Sequence, residues 1–157
     1  MLIYTQRLMI RQLRESDVDS LYDVLSDPDV MRCIEPVYTR KQTLQLIRRA
    51  GMCAVPLIWA LAEKATDRLI GHVIYHPFDE TRYEIGWIIA KPYWNCGYAQ
   101  EITDVLIDYA QNAGVPAIVI ECDPKQTVTA HIAQKKGFHL VSSDEMNIYE
   151  KMLPQIK

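Results

Sequence analysis

The stretch Tyr83-Glu84-Ile85-Gly86-Trp87-Ile88-Ile89-Ala90-Lys91-Pro92-Tyr93-Trp94-Asn95-Cys96-Gly97-Tyr98-Ala99-Gln100-Glu101 decides how this chain folds. Ile85 to Ala90 is a short apolar run rich in β-branched and aromatic residues, the pattern of a strand buried on both faces, and Pro92 stops it. Ile102, Val105, Leu106, Tyr109, Ala110 and Ala113 then recur at the spacing of one helix face. A strand therefore enters a helix through a tight turn containing Asn95, Cys96 and Gly97. The first amides of a helix lack intrahelical partners and carry a partial positive charge, so such a junction is a natural seat for a phosphate. Gly97 and the small Ala99 allow a ligand to approach the backbone closely.

Downstream, Asn112-Ala113-Gly114 stops the helix, and Ala117 to Cys122 reads as a fully buried strand. Strand, helix and strand in that order imply a parallel pair, so the sheet is mixed. Val128, Ile132 and Ala133 mark a shorter helix ending at Lys135-Lys136-Gly137. Phe138 to Val141 and Met146 to Leu153 suit a closing hairpin around Ser142-Ser143-Asp144-Glu145.

Upstream, Leu8 and Ile10 alternate with Arg7, Met9 and Arg11 as in a half-buried strand. Ser16 or Asp17 caps a helix with Val18, Leu21, Tyr22 and Leu25 on its apolar face, and Asp27-Pro28 ends it. Thr39 with Gln42 forms a capping box for a second helix, with Gly51 as the expected residue after its C-terminus. Its Arg40, Lys41, Arg48 and Arg49 read as a solvated face. Leu57 to Glu63 and Leu69 to Tyr75 form a hairpin around Thr66-Asp67-Arg68, and Pro77 to Thr81 turns the chain into the Tyr83 strand, completing a meander. His72 and His76 read as surface histidines, roughly 13 Å apart along a strand and too distant to share a metal.

A chain of 157 residues suits a single domain over 1–157, large enough for one core without staples. No run of about 18 apolar residues is present, and the start lacks the features of a signal peptide, so no membrane is implied and a cytoplasmic location is expected. The four cysteines are widely spaced, with no ligand pattern for zinc, so neither a metal nor a disulfide framework is expected. A net charge of −3 without blocks of like charge argues against a nucleic-acid partner and suits a cationic amine.

Trp94-Asn95-Cys96-Gly97-Tyr98-Ala99 resembles the acyl-CoA pyrophosphate loop of the GNAT superfamily of N-acetyltransferases, with pattern [Q/R]-x-x-G-x-[G/A]; Gly97 and Ala99 match, and Trp94 stands in the leading position. The chain is similar to the ribosomal-protein N-terminal acetyltransferase branch, which usually has glycine at Asn95 and a basic residue at Cys96. The resemblance extends in order through Thr5-Gln6-Arg7-Leu8-Met9-Ile10-Arg11, Ser16-Asp17 with Leu21-Tyr22, and Lys135-Lys136-Gly137-Phe138. It implies an α/β fold with a mixed, mainly antiparallel twisted sheet of about six or seven strands and helices on both faces. The two early helices would wall the amine side of the cleft.

The same resemblance implies acetyl transfer from acetyl-CoA to a primary amine, on a protein N-terminus or a small molecule, by direct attack in a ternary complex. The backbone of Trp87, Ile88 and Ile89 would hold the pantetheine arm, and Trp94, Asn95, Cys96, Gly97, Tyr98 and Ala99 the phosphates. Gln126 stands where the branch has an asparagine that contacts the arm, and Thr129 where it has a serine that touches CoA or protonates the thiolate; Tyr149 is a second candidate acid. Glu84 stands where the branch often has its general base, and a partly desolvated carboxylate suits that role. Two readings of Cys96 stay open, a thiol activated by the helix start or an ordinary exposed cysteine. An inactive CoA-binding sensor of the same fold is the alternative function, and a homodimer is left open.

Overall fold

The computed structural model describes residues 1–155. Strands β1 (Ile3–Tyr4) and β2 (Leu8–Arg11) precede helices α1 (Val18–Leu25), α2 (Pro28–Met31) and α3 (Arg40–Leu46). Strands β3 (Ile58–Glu63), β4 (Leu69–Pro77) and β5 (Arg82–Ile89) follow, then α4 (Tyr98–Asn112), β6 (Ala117–Cys122), α5 (Thr127–Lys135), β7 (His139–Ser143) and β8 (Asn147–Met152). The sheet order is β1-β2-β3-β4-β5-β6-β8-β7, mostly antiparallel with β5 and β6 parallel. Eight strands replace the expected six or seven because β1, two residues long, is too short to carry a periodic signal.

The chain divides into two compact units: 1–74 with Trp87–Tyr98, and Tyr75–Gly86 with the chain from Ala99 onward; β4 and β5 each run through both. In the first unit, Val18, Leu21, Val24 and Leu25 of α1 join Val30, Met31 and Ile47 in a core against Ile58, Ala60, Leu69 and Ile88 of the sheet. A helix of eight residues is unstable alone, and each such side chain, fully buried, contributes about 1.5–3 kcal/mol to holding it.

Local details depart from the sequence expectation in instructive ways. Asp17 does not cap α1 with its side chain; its carboxylate accepts the Arg14 amide at 2.8 Å and pairs with Arg11. Asp27-Pro28 ends α1 but also opens α2, since the Asp27 carboxylate accepts the Asp29 amide at 2.9 Å. The Thr39 and Gln42 capping box is present. Gly51 closes a π-helical turn, Ile47–Gly51, and is small because a Cβ there would lie 2.6 Å from Leu13 Cδ1. His72, expected at the surface, is buried, with Nδ1 lacking a hydrogen-bond partner.

In the second unit, Tyr75 contacts Tyr83 across the sheet and stacks edge-on against Tyr109 of α4, with ring centroids 5.0 and 5.3 Å apart. That contact identifies the sheet face covered by α4. Register places Ile118, Ile120 and Tyr149 on the same face as Tyr83, and Glu84, Val119, Glu121 and Glu150 on the other. On α5, Ile132 and Ala133 are buried as expected, whereas Val128 in its first turn is exposed.

Candidate active site

In the first unit, β5 ends in a 3-10 turn, Lys91–Tyr93, opened by Pro92. The backbone then turns through Asn95 (φ 60°) and Gly97 (φ 81°) before α4 begins. Left-handed residues alternating with ordinary ones produce the backbone concavity that suits an anion. Asparagine is one of the few side chains that adopts this conformation readily, so Asn95 supplies the turn that the resembled branch makes with glycine. The Trp94 indole N–H donates to the Ile89 carbonyl at 2.8 Å, fastening the turn to the end of β5. Cys96 is exposed, its thiol donating to the Trp94 carbonyl at 3.4 Å.

Two residues beside the turn escaped the sequence reading. The Arg7 guanidinium lies 4.3 Å from the centroid of the Tyr98 ring, and a Cβ added to Gly97 would come 3.5 Å from Arg7 Nη2. Tyr93 stacks on Tyr98 with ring centroids 6.2 Å apart. Some ninety residues separate Arg7 from Tyr98, and no local pattern signals that approach. Ile88 and Ile89 are buried and Trp87 is half-buried. A groove lined by Ser20, Asp23, Asp27, Arg68, Lys91 and Tyr93 contains none of the catalytic or cofactor-binding residues expected from sequence.

In the second unit, the parallel ladder joins Arg82, Tyr83 and Glu84 to Ala117, Ile118 and Val119, so Glu84 stands at its end. The Glu84 side chain is 17% exposed, and its Oε2 lies 3.1 Å from Nε2 of His76, which sequence reading had placed on the bare surface. His76 Nδ1 lies 2.8 Å from the Pro77 carbonyl. The bond to Glu84 chiefly, and then that carbonyl and the charges of Glu84 and Glu121, raise the His76 pKa against the lowering effect of burial. Glu121 is also raised, by desolvation first and then by the charge of Glu84. Further along this face Arg82 bridges Asp79 at 2.7 Å and Glu150 at 3.0 Å.

The remaining sequence candidates lie in this unit with different surroundings. Ala99, in the first turn of α4, accepts the Thr103 hydroxyl at its carbonyl at 2.6 Å. The Gln126 side chain turns back to accept the Asp123 amide at 2.8 Å, bracing the entry to α5. Thr129 is half-buried in the first turn of α5, and Tyr149 is buried on the sheet face opposite Glu84. Among the described residues, no group of three or more His, Cys, Asp and Glu side chains could hold a metal, and no helix is long and apolar enough to cross a membrane.

Residues 7–139 match the family described as acetyltransferase (GNAT) domain. The chain is 31% identical over 139 residues to an uncharacterized N-acetyltransferase, YnaD, of Bacillus subtilis, covering 86% of this chain and 81% of that protein. A crystal structure of a GNAT-family acetyltransferase from Bacillus anthracis superposes with a TM-score of 0.87 at 25% identity, over 97% of this chain and 98% of the other. The RimL ribosomal-protein α-N-acetyltransferase, solved in complex with coenzyme A, shares the fold with a TM-score of 0.79 at 15% identity over 98% of each chain. With the strand, left-handed turn and helix in place, this chain belongs to the GNAT family and is an N-acetyltransferase that takes its acetyl group from acetyl-CoA.

Proposed function

We propose that this acetyltransferase acts on a primary amine and that Glu84 is its general base. The observation that carries the reading is the half-buried Glu84 carboxylate at the end of the parallel ladder, on a strand that continues to Ile89 and the turn with left-handed Asn95 and Gly97. A neutral amine attacks the thioester carbonyl directly, and Glu84 receives the proton that nitrogen must lose. The backbone of Trp87 and Ile88 holds the pantetheine arm as an added strand, with the Ile89 amide, while the Ile89 carbonyl is taken by Trp94. Trp94 to Ala99 accept the phosphates, with Arg7 beside them. Gln126 supports the arm from the α5 entry, and Thr129 or Tyr149 supplies a proton to the leaving sulfur.

The acceptor belongs on the sheet face of Glu84, Glu121 and Glu150, whose carboxylates attract an ammonium group before it gives up its proton. Protein N-termini lead the acceptor list, because RimL, which shares the fold, is named for that activity. Small amines follow. The cytoplasm is the proposed location of the reaction.

The test is calorimetric titration with acetyl-CoA together with thiol release against N-terminal peptides, polyamines and aminoglycoside-like amines. Micromolar binding with amine-dependent release is expected. Glu84→Gln should lower kcat by about 10²–10⁴-fold while leaving acetyl-CoA affinity unchanged. Binding without release from any amine would overturn the amine reading and favour a CoA-binding sensor.

A further inference from the structure

We propose that His76 is a positioning residue for the acetyl transfer, holding one proton jointly with Glu84 so that the pair, rather than the carboxylate alone, sets when the base is ready. This rests on Glu84 being the base. The geometry supplies the argument. The Pro77 carbonyl can only accept, so the His76 ring nitrogen 2.8 Å from it, Nδ1, carries a hydrogen. The opposite nitrogen, Nε2, faces Glu84 Oε2 at 3.1 Å. Two lone pairs would repel at that distance, so a proton lies between them. The pair is therefore an imidazolium beside a carboxylate, or an imidazole beside a carboxylic acid, and in either form one proton fills the contact between Nε2 and Oε2.

The charged groups facing His76 are Glu84 on β5 and Glu121 on β6, both carboxylates, and both retain the shared proton. Arg82, the cation on the same face, is engaged by Asp79 and Glu150. Burial of His76 opposes protonation but is outweighed by the Glu84 bond, so the imidazole stays charged to a higher pH than an ordinary histidine. Catalysis begins after that proton has left to water. As the N–C bond forms and the C–S bond breaks, its electrons staying on sulfur, Glu84 takes one N–H proton. The pair shares it between Oε2 and Nε2, and sulfur takes a proton from the hydroxyl of Thr129 or Tyr149; the shared proton then returns through water to that hydroxyl, so the sum is one amide and one thiol.

The pH profile of kcat/KM for the wild-type enzyme should then rise about tenfold per unit on its acid limb, with an apparent pKa above the ordinary histidine value of 6.5. In His76→Gln the limb should move to lower pH, with acetyl-CoA affinity unchanged. A uniform loss of rate with an unmoved limb would overturn the proposal, since a merely structural histidine lowers the rate without moving its titration. Nitrogen-15 NMR of the folded wild type provides a readout independent of turnover: the His76 ring should titrate above 6.5 with its neutral form protonated at Nδ1, and in Glu84→Gln it should fall toward 6.5. A His76 titration unaffected by Glu84→Gln would overturn the pairing. Retention of kcat by Glu84→Gln would instead overturn Glu84 as base, and the NMR titration distinguishes the two failures.

Discussion

The guanidinium of Arg11 grips both carboxylate oxygens of Asp17, at 2.9 and 2.8 Å, with side chains only 7% and 8% exposed. Its Nε donates to Asp67 at 2.8 Å, so one side chain joins the end of β2, the start of α1 and the β3–β4 turn. Removing one partner of a buried pair leaves the other charge unpaired, which costs about 3–5 kcal/mol. Arg11→Met should lower the free energy of unfolding, measured by urea titration, by that amount. Adding Asp17→Leu should recover most of it, and failure to recover would show that Arg11 acts through packing instead.

His72 should make the protein sensitive to acid. Burial lowers its pKa from 6.5 to about 4, so between those values the unfolded chain binds a proton that the folded chain does not. Stability present above pH 6.5 is lost as pH falls to 4, by about 3 kcal/mol at 1.36 kcal/mol per unit. Urea unfolding of His72→Leu, which also removes the unpartnered Nδ1, should show a correspondingly shallower decline over that interval. Equal slopes in the two proteins would refute the assignment.

Asn95 and Gly97 differ in what they tolerate. Asn95→Gly should leave coenzyme A affinity unchanged, because glycine adopts the same left-handed backbone. Asn95→Val should weaken affinity by about 5- to 150-fold, since forcing a β-branched residue into that region costs on the order of 1–3 kcal/mol. Calorimetry on both variants checks this, and equal affinity would mean that the turn does not contact the ligand.

Thiol labelling should follow exposure. Cys96 is exposed, Cys33 and Cys53 are half-buried and Cys122 is buried. Iodoacetamide should modify Cys96 first, and acetyl-CoA should slow that reaction selectively. Equal labelling of Cys33 or Cys53, with no protection, would exclude an approach of the cosubstrate to Cys96.

The strand, turn and helix from Tyr83 to Asn112 were legible because period, a proline and a glycine all act locally there. The Thr39 capping box was legible for the same reason. What was illegible depends on partners distant in sequence. Alternation cannot reveal that His72 is buried when both faces of its strand are covered. The pairing of His76 with Glu84 depends on where the intervening hairpin closes, at Phe78 and Arg82, and turn composition leaves that register open. Val128 looked like a core residue because its hydrophobicity was read without knowing that the first turn of α5 faces outward.

The Trp94 hydrogen bond to Ile89 also gives the molecule an optical reporter. Trp59 and Trp87 are half-buried, whereas Trp94 is 41% exposed and belongs to the turn itself. Its emission should be red-shifted and open to quenching by iodide in the free protein. With Trp59 and Trp87 replaced by phenylalanine, the fluorescence of one indole would report in real time whether acetyl-CoA reaches the turn, without any added dye.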